Sequence, residues 1–294
     1  MNRTSLWGIT FDTDIELPGR APDETTDVTI RFGSVPATIP EVRSEGAAYQ
    51  AGPGLFRLAI PGVAAFLISG GSEIVVEADE SAHPDTIRLL LLGTPMGALL
   101  HQRERIPLHA AAVEVDGRAV LISGFSAHGK STVAATLHKR GHTVISDDIC
   151  AVHADDKGAV VVEPGTTELQ LWHDAVKRLG EEPGDYVRAR PELQKYRVPV
   201  NTVSEPLPAS AMYVLGNHNQ DGFDIAEIES FGKVRTILTQ TRGSGYLEGM
   251  GAGPFHFRTS MAMATQVTMK RLVWPRGIAD VGAVCDALLE DLNS

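Results

Sequence analysis

Arg118-Ala-Val-Leu-Ile-Ser-Gly-Phe-Ser-Ala-His-Gly-Lys-Ser-Thr132 decides the reading of this chain. An apolar strand, Arg118–Ser123, runs into Gly124-Phe125-Ser126-Ala127-His128-Gly129-Lys130-Ser131, which satisfies the phosphate-loop pattern G-x-x-x-x-G-K-[ST]. Gly124 and Gly129 let the backbone curl so that successive N–H groups point at phosphate oxygens. Lys130 sets a charge against the β- and γ-phosphates, and Ser131 offers a hydroxyl to Mg²⁺. Lys130–Arg140 reads as a helix with Val133, Ala134 and Leu137 on one face and Gly141 as its stop, so its N-terminus faces the same anions. The string arises by chance in roughly one chain of this size in a hundred. The strand before it and the helix after it are the context the motif demands. The pattern assigns nucleotide contacts to Gly124, Ser126, Ala127, His128, Gly129, Lys130, Ser131 and Thr132.

Working outward, His142–Ser146 is a second strand and ends in Asp147-Asp148. A carboxylate at a strand end beside a phosphate loop binds Mg²⁺, and a second can take the proton of an attacking hydroxyl. Adjacent residues of an extended strand point to opposite sides, so the two acids share a role only if the strand has already ended. Upstream, Leu108–Val115 and Arg118–Ser123 flank Asp116-Gly117, a tight-hairpin dipeptide. His109, entering that pair, is either a half-buried structural histidine or a partner of the aspartates. Lys195 and Arg197 alternate in a strand and share a face, which either reaches a γ-phosphate or forms a solvated edge. Arg242 is a weaker candidate at the mouth of the glycine-rich stretch Arg242–Pro254, which reads as a mobile loop.

The rest of the chain frames this unit. Short alternating runs at Leu6–Phe11, Val28–Phe32, Leu55–Ile60, Ala65–Ser69 and Ile74–Val76 predict a β-rich module over residues 1–82. A helix over Thr86–Leu100, broken near Gly93 and Pro95, connects it to a phosphate-loop domain, giving a second unit over 83–294. Further strands are expected at Gly158–Val162, Tyr196–Val200, Ala211–Leu215 and Gln266–Val273. Helices are expected at Leu169–Leu179 and Ile278–Leu292, with a turn at Trp274-Pro275-Arg276.

Bulk properties narrow the classes. A formal net charge of −11 disfavours nucleic acid and anionic lipid as partners. Cys150 and Cys285 are far apart and in no metal-like spacing, which fits a reducing cytoplasm and leaves a disulfide open. No apolar run has signal-peptide or membrane-span length. The residues alone therefore support a cytoplasmic α/β phosphate-loop protein. It is either an ATP-dependent kinase or a nucleotide-gated regulator that transfers nothing.

The stretch Ile106–Val152 resembles the catalytic core of HPr kinase/phosphorylase. His109 before a hairpin, the loop Gly124–Ser131, Lys139-Arg140-Gly141-His142 and Asp147-Asp148 all match that family's pattern. The short gap from Lys130 to Asp147 is also the family's. The resemblance implies a phosphate-loop kinase fold of the HPr kinase type, with ATP and Mg²⁺, that phosphorylates a serine. It implies Asp147 as general base, Asp148 supporting it and holding the metal with Ser131, His109 near both, and Lys130 on the phosphates. The family forms hexamers, which leaves a homo-oligomer open. Leu6–Pro18 and Val267–Leu292 are similar to a divergent branch, some members of which act in ribosomal-peptide pathways, including lasso peptides. By that likeness the acceptor is a serine of a peptide or small protein, a lasso-type precursor peptide in the first place and HPr as the alternative. Two departures stand out: Ala127 replaces the family's middle glycine in the loop, and the arginine-rich segment tied to the phosphorylase reaction has no counterpart.

Overall fold

The structure, a computed structural model, describes residues 2–22, 24–219, 222–275 and 280–294. Its centre is a mixed sheet in which Arg118–Gly124, Leu207–His218 and Thr268–Pro275 lie side by side and parallel. Parallel strands need both faces covered. Accordingly Val120, Ile122, Tyr213, Leu215 and Leu272 are buried on one side with the helices Lys130–Lys139 and Val281–Leu292. Ala110–Val115 and Val144–Ser146 extend the sheet antiparallel beyond Arg118–Gly124. Leu207–His218 also pairs with Val160–Val162, and from there the order continues to Cys150–Ala154 and Ile106–Leu108.

The N-terminal part is an eight-stranded sheet, as its alternating pattern indicates. The run Leu6–Phe11 is not one strand. Asn2–Leu6 and Ile9–Thr13 form a hairpin turned by Trp7 and Gly8, at φ 54° and 66°. This sheet and the central one share a continuous apolar cluster, from Phe11, Phe56 and Phe66 through the helices Pro84–Leu91 and Thr94–Gln102 to Leu108 and Cys150. The connector helix breaks at Gly93, as expected. Cys150 and Cys285 are buried free thiols in separate clusters, so the disulfide that the sequence left open does not form.

Three further expectations change. Leu169–Leu179 is not one helix: Glu168–Trp172 is a strand that pairs with Lys195–Pro199, and the helix is only His173–Arg178. Leu169 and Leu171 point inward at a period of two, the strand signal within ELQLW. Arg242–Pro254 is not a mobile loop, because Tyr246, Leu247, Met250 and Ala252 are buried in the larger cluster. It joins two helices unseen in the sequence, Phe231–Gln240 and Gly253–Gln266. Leu108–Val115 is interrupted at His109, whose N–H leaves the sheet to bond the Gln240 carbonyl at 2.8 Å. The expected turn at Arg276 and helix start at Ile278 lie outside the described residues; the helix is present from Val281 to Leu292. Among the described residues no helix is long and apolar enough to cross a membrane.

Candidate active site

The phosphate loop leaves the end of the strand Arg118–Gly124 with Gly124 at φ 139°. A Cβ there would lie 2.8 Å from the Leu215 carbonyl oxygen, so only glycine lets the loop depart against the neighbouring strand. Gln240, buried and 6% exposed, braces this exit: its Oε1 accepts from Ser123 Oγ at 2.7 Å and from the Gly124 N–H at 3.2 Å. Ala127 and Gly129 are both left-handed, at φ 67° and 85°. Gly129 caps the helix Lys130–Lys139, and no side chain bonds its first N–H groups. Those donors and the positive end of the helix dipole make a ready anion site. Lys130, 7% exposed, donates from Nζ to the carbonyls of Gly124 and Phe125 at 3.1 and 3.3 Å. His128 is turned away from the phosphate side, its Nδ1 on the Leu215 carbonyl at 3.1 Å.

The two aspartates follow the end of the strand Val144–Ser146, so a turn and not strand alternation sets their directions. Asp148 has φ 64°, and the Ile149 N–H bonds back to the Asp147 carbonyl at 2.8 Å, closing a three-residue turn. Asp tolerates that left-handed backbone better than most residues, and strain of this kind gathers at functional sites. Asp147 points inward. Its Oδ1 accepts from Ser131 Oγ at 2.8 Å and its Oδ2 from the Gln170 N–H at 3.2 Å. Burial, and then the neighbouring Asp148 charge, push its carboxyl up. Asp148 lines the cleft with Ser126, Ala127, Gly129, Lys130 and His109. Arg242 Nη2 donates to its Oδ2 at 2.9 Å. Burial alone would raise Asp148, but Arg242, Lys195, His109 and Lys130 outweigh it and hold its carboxyl below the usual carboxylate range.

His109 Nε2 lies 3.6 Å from Asp148 Oδ1, beyond hydrogen-bond reach. Burial, with Lys130 second, pushes the imidazole down to about 4, so at neutral pH it faces Asp148 as an uncharged ring and not as an ion-pair partner. Burial also lowers Lys130, against the pull of both aspartates.

Residues with no motif complete the site. Trp7, from the N-terminal hairpin, donates from Nε1 to the Ile149 carbonyl at 3.1 Å and supports the acid turn from beneath. Its contact is 142 residues away in sequence, so no local pattern could reveal it. Arg242 comes from the glycine-rich connection between two helices. A Cβ on Gly97 would sit 3.4 Å from its Cδ, so Gly97 gives it room. The Arg242 carbonyl is held by His101 Nε2 at 2.9 Å.

The donor set suits Mg²⁺. Among the described residues no group of three or more His, Cys, Asp or Glu side chains could form a protein cage for a metal. Mg²⁺ beside phosphates needs only one or two carboxylates, a hydroxyl and waters. Ser131 and Asp147 supply the first two at mutual hydrogen-bond distance.

Residues 101–172 match the family model described as HPr Serine kinase C-terminal domain. An HPr kinase/phosphorylase of Streptococcus thermophilus (strain CNRZ 1066) is 33% identical over 132 residues, 42% of each chain. One from Enterococcus faecalis (strain ATCC 700802 / V583) is 31% identical over 173 residues, 56% of this chain and 55% of that one. The chain thus matches about half the length of these curated relatives, or less. The solved Hpr(Ser) kinase/phosphatase from Coxiella burnetii aligns over 64% of this chain and 90% of that one, at 12% identity and a TM-score of 0.33, too distant to bear on the site. The matched segment, which carries the phosphate loop and both aspartates, is similar to the C-terminal domain of HPr kinases.

Proposed function

We propose that the protein is an ATP-dependent kinase that transfers the γ-phosphoryl group to a serine hydroxyl of a peptide or small protein. The observation that carries this reading is the division of the acid pair. Asp147 is bonded to the loop serine, whereas Asp148 is ionised and open to the cleft. A protein that only binds nucleotide needs no such second carboxylate, which argues against a nucleotide-gated regulator.

In the reaction, an acceptor hydroxyl oxygen forms a bond to the γ-phosphorus. The bond to the β–γ bridging oxygen breaks, its electron pair leaves with ADP, and the hydroxyl proton passes to a carboxylate. The resemblance assigned that proton to Asp147. We propose the reverse division: Asp148 takes it, because Asp148 is the ionised acid exposed to the cleft, and Asp147 with Ser131 would hold the metal. A bound Mg²⁺ would neutralise phosphate charge. Lys130 and the helix N–H groups hold the phosphates, and catalysis is mainly positioning and charge stabilisation. Arg242 orients Asp148 and keeps it ionised, and neutral His109 limits repulsion in a cleft already rich in cations.

For the acceptor we favour a precursor peptide of a ribosomal (lasso-type) pathway, on the likeness of Leu6–Pro18 and Val267–Leu292. The relatives' names make HPr the alternative. Incubation with ATP, Mg²⁺ and a panel of HPr and serine-bearing precursor peptides, read by mass spectrometry, tests this. The reading predicts a gain of about 80 Da, one HPO₃ on a hydroxyl, on one of them. ATP bound tightly with no gain on any acceptor would favour the regulator.

A further inference from the structure

We infer that Lys195 is a second phosphate-binding cation, which contacts the γ-phosphoryl group from the wall facing the phosphate loop. The inference deepens the kinase reading and rests on it.

Three other cations near the acid turn are engaged. Lys130 is bonded to loop carbonyls, Arg242 to Asp148, and Arg197 lies 3.9 Å from Asp85. Lys195 differs. Among the described residues its Nζ makes no hydrogen bond or ion pair, and its contact is the Trp172 ring, 6.0 Å to the centroid. Yet it lines the same cleft as Lys130, Ser131 and Asp148. Lys130, Lys195 and Arg242 act together on one accessible carboxylate, Asp148, with Asp147 turned inward. An ammonium group in that crowd is repelled by its neighbours, and a polyanion relieves the repulsion.

The backbone of Lys195 is fixed although its tip is not. In the three-stranded sheet Trp172 is the register partner of Lys195, and Gln170 that of Arg197. The Gln170 N–H is bonded to Asp147 Oδ2, so the strand beside Lys195 is tied to the acid turn. On that same side the Gln194 carbonyl accepts from the His173 N–H at 2.9 Å, and on the other side the Lys195 carbonyl accepts from the Ala189 N–H at 2.8 Å. A fixed base with a free, charged tip suits a group that meets the γ-phosphate only when nucleotide is present. Lys195 also lies outside residues 101–172, the segment that matches the family model. The role therefore belongs to the part of the chain where that match gives no guide.

The loop itself reaches both ATP and ADP, whereas a cation at the γ position distinguishes them. The test measures equilibrium binding of ATP and of ADP, each with Mg²⁺, to the full chain carrying Lys195→Met, which keeps the apolar stem against Trp172, or Lys195→Arg. We expect Lys195→Met to weaken ATP about tenfold, the size of a lost charge-assisted contact, with ADP unchanged and Lys195→Arg restoring most of the loss. With an acceptor present, kcat falls more than KM for the acceptor rises. Equal weakening of ATP and ADP, or none, would overturn the role while leaving the kinase reading intact. A wild-type chain that binds no ATP would overturn both.

Discussion

Ser131 Oγ donates to Asp147 Oδ1 at 2.8 Å, joining the helix after the phosphate loop to the end of the neighbouring strand. That bond supplies Oδ1 of a carboxylate that is only 4% exposed with its donor, as the Gln170 N–H supplies Oδ2. Ser131→Ala should therefore cost about 1–3 kcal/mol of stability, the range for a buried polar group left without its partner. It should also raise the Mg²⁺ needed for half-maximal activity by about tenfold, the scale seen when a partner that orients a metal ligand is lost. Denaturant unfolding and a Mg²⁺ titration of turnover check the two effects separately.

Arg242 reaches Asp148 over the face of Gly97. A Cβ there meets Arg242 and Tyr246 at 3.4–3.5 Å, ordinary contact distance, so methyl groups added beyond it press on the guanidinium stem. Gly97→Ala should leave transfer within about twofold and gain some helix propensity. Gly97→Val should displace the guanidinium and lower kcat by at least about tenfold, one lost charge-assisted bond to the base, with ATP affinity unchanged. Parallel ATP titrations and turnover assays of the two variants would show it.

Ala127 occupies a left-handed backbone position in the loop. That conformation costs a non-glycine residue about 1–2 kcal/mol, against about 0.4–1 kcal/mol for the extra unfolded-state freedom of glycine. Ala127→Gly should therefore raise the melting temperature by about 1–3 °C and leave nucleotide binding in place. Calorimetry is the check, and a lower melting temperature would mean that Ala127 packs better than it twists.

Much of this was legible in the sequence because it is local. The phosphate loop, the inward face Val133, Ala134 and Leu137, and the hairpin at Asp116-Gly117 are read over a few residues and are present. Which member of the acid pair faces the cleft was not legible. It depends on the left-handed turn at Asp148, whereas strand alternation says only that the two acids point apart. Arg242 looked weak because its stretch holds five glycines. In the structure that stretch is anchored by its apolar residues, with the Tyr246 ring packed on Phe56 at 4.4 Å between centroids and Leu247, Met250 and Ala252 buried. Trp7 and Gln240 support the site from more than a hundred residues away, and no sequence window spans that distance.

Buried imidazoles make the fold acid-sensitive. Burial pushes His101 down to about 3 and His109 down to about 4, from 6.5, and lowers His256 as well. Between about pH 4 and 6.5 the unfolded chain binds more protons at these sites, so stability rises with pH across that window. Asp147, raised by burial and then by the Asp148 charge, acts in the opposite direction above its ordinary value, but it is one group against three. The melting temperature should fall steadily from pH 7 to pH 5, and a flat or rising profile would contradict the buried neutral state. Over the same range kcat/KM should show no limb from His109 or Asp148, since one is already neutral and the other already ionised.

The central claim is that the cleft at Asp148 transfers a phosphoryl group, and the most direct measurement compares Asp148→Asn with Asp147→Asn. ATP affinity and single-turnover transfer to a confirmed acceptor would be measured for both. The account predicts that Asp148→Asn binds ATP as the wild type does while transfer falls by a factor of about 10²–10⁴, the contribution of a positioned general base. Asp147→Asn should retain transfer when Mg²⁺ is raised. Undiminished transfer by Asp148→Asn, with Asp147→Asn inactive at every Mg²⁺ concentration, would contradict it and return the base to Asp147.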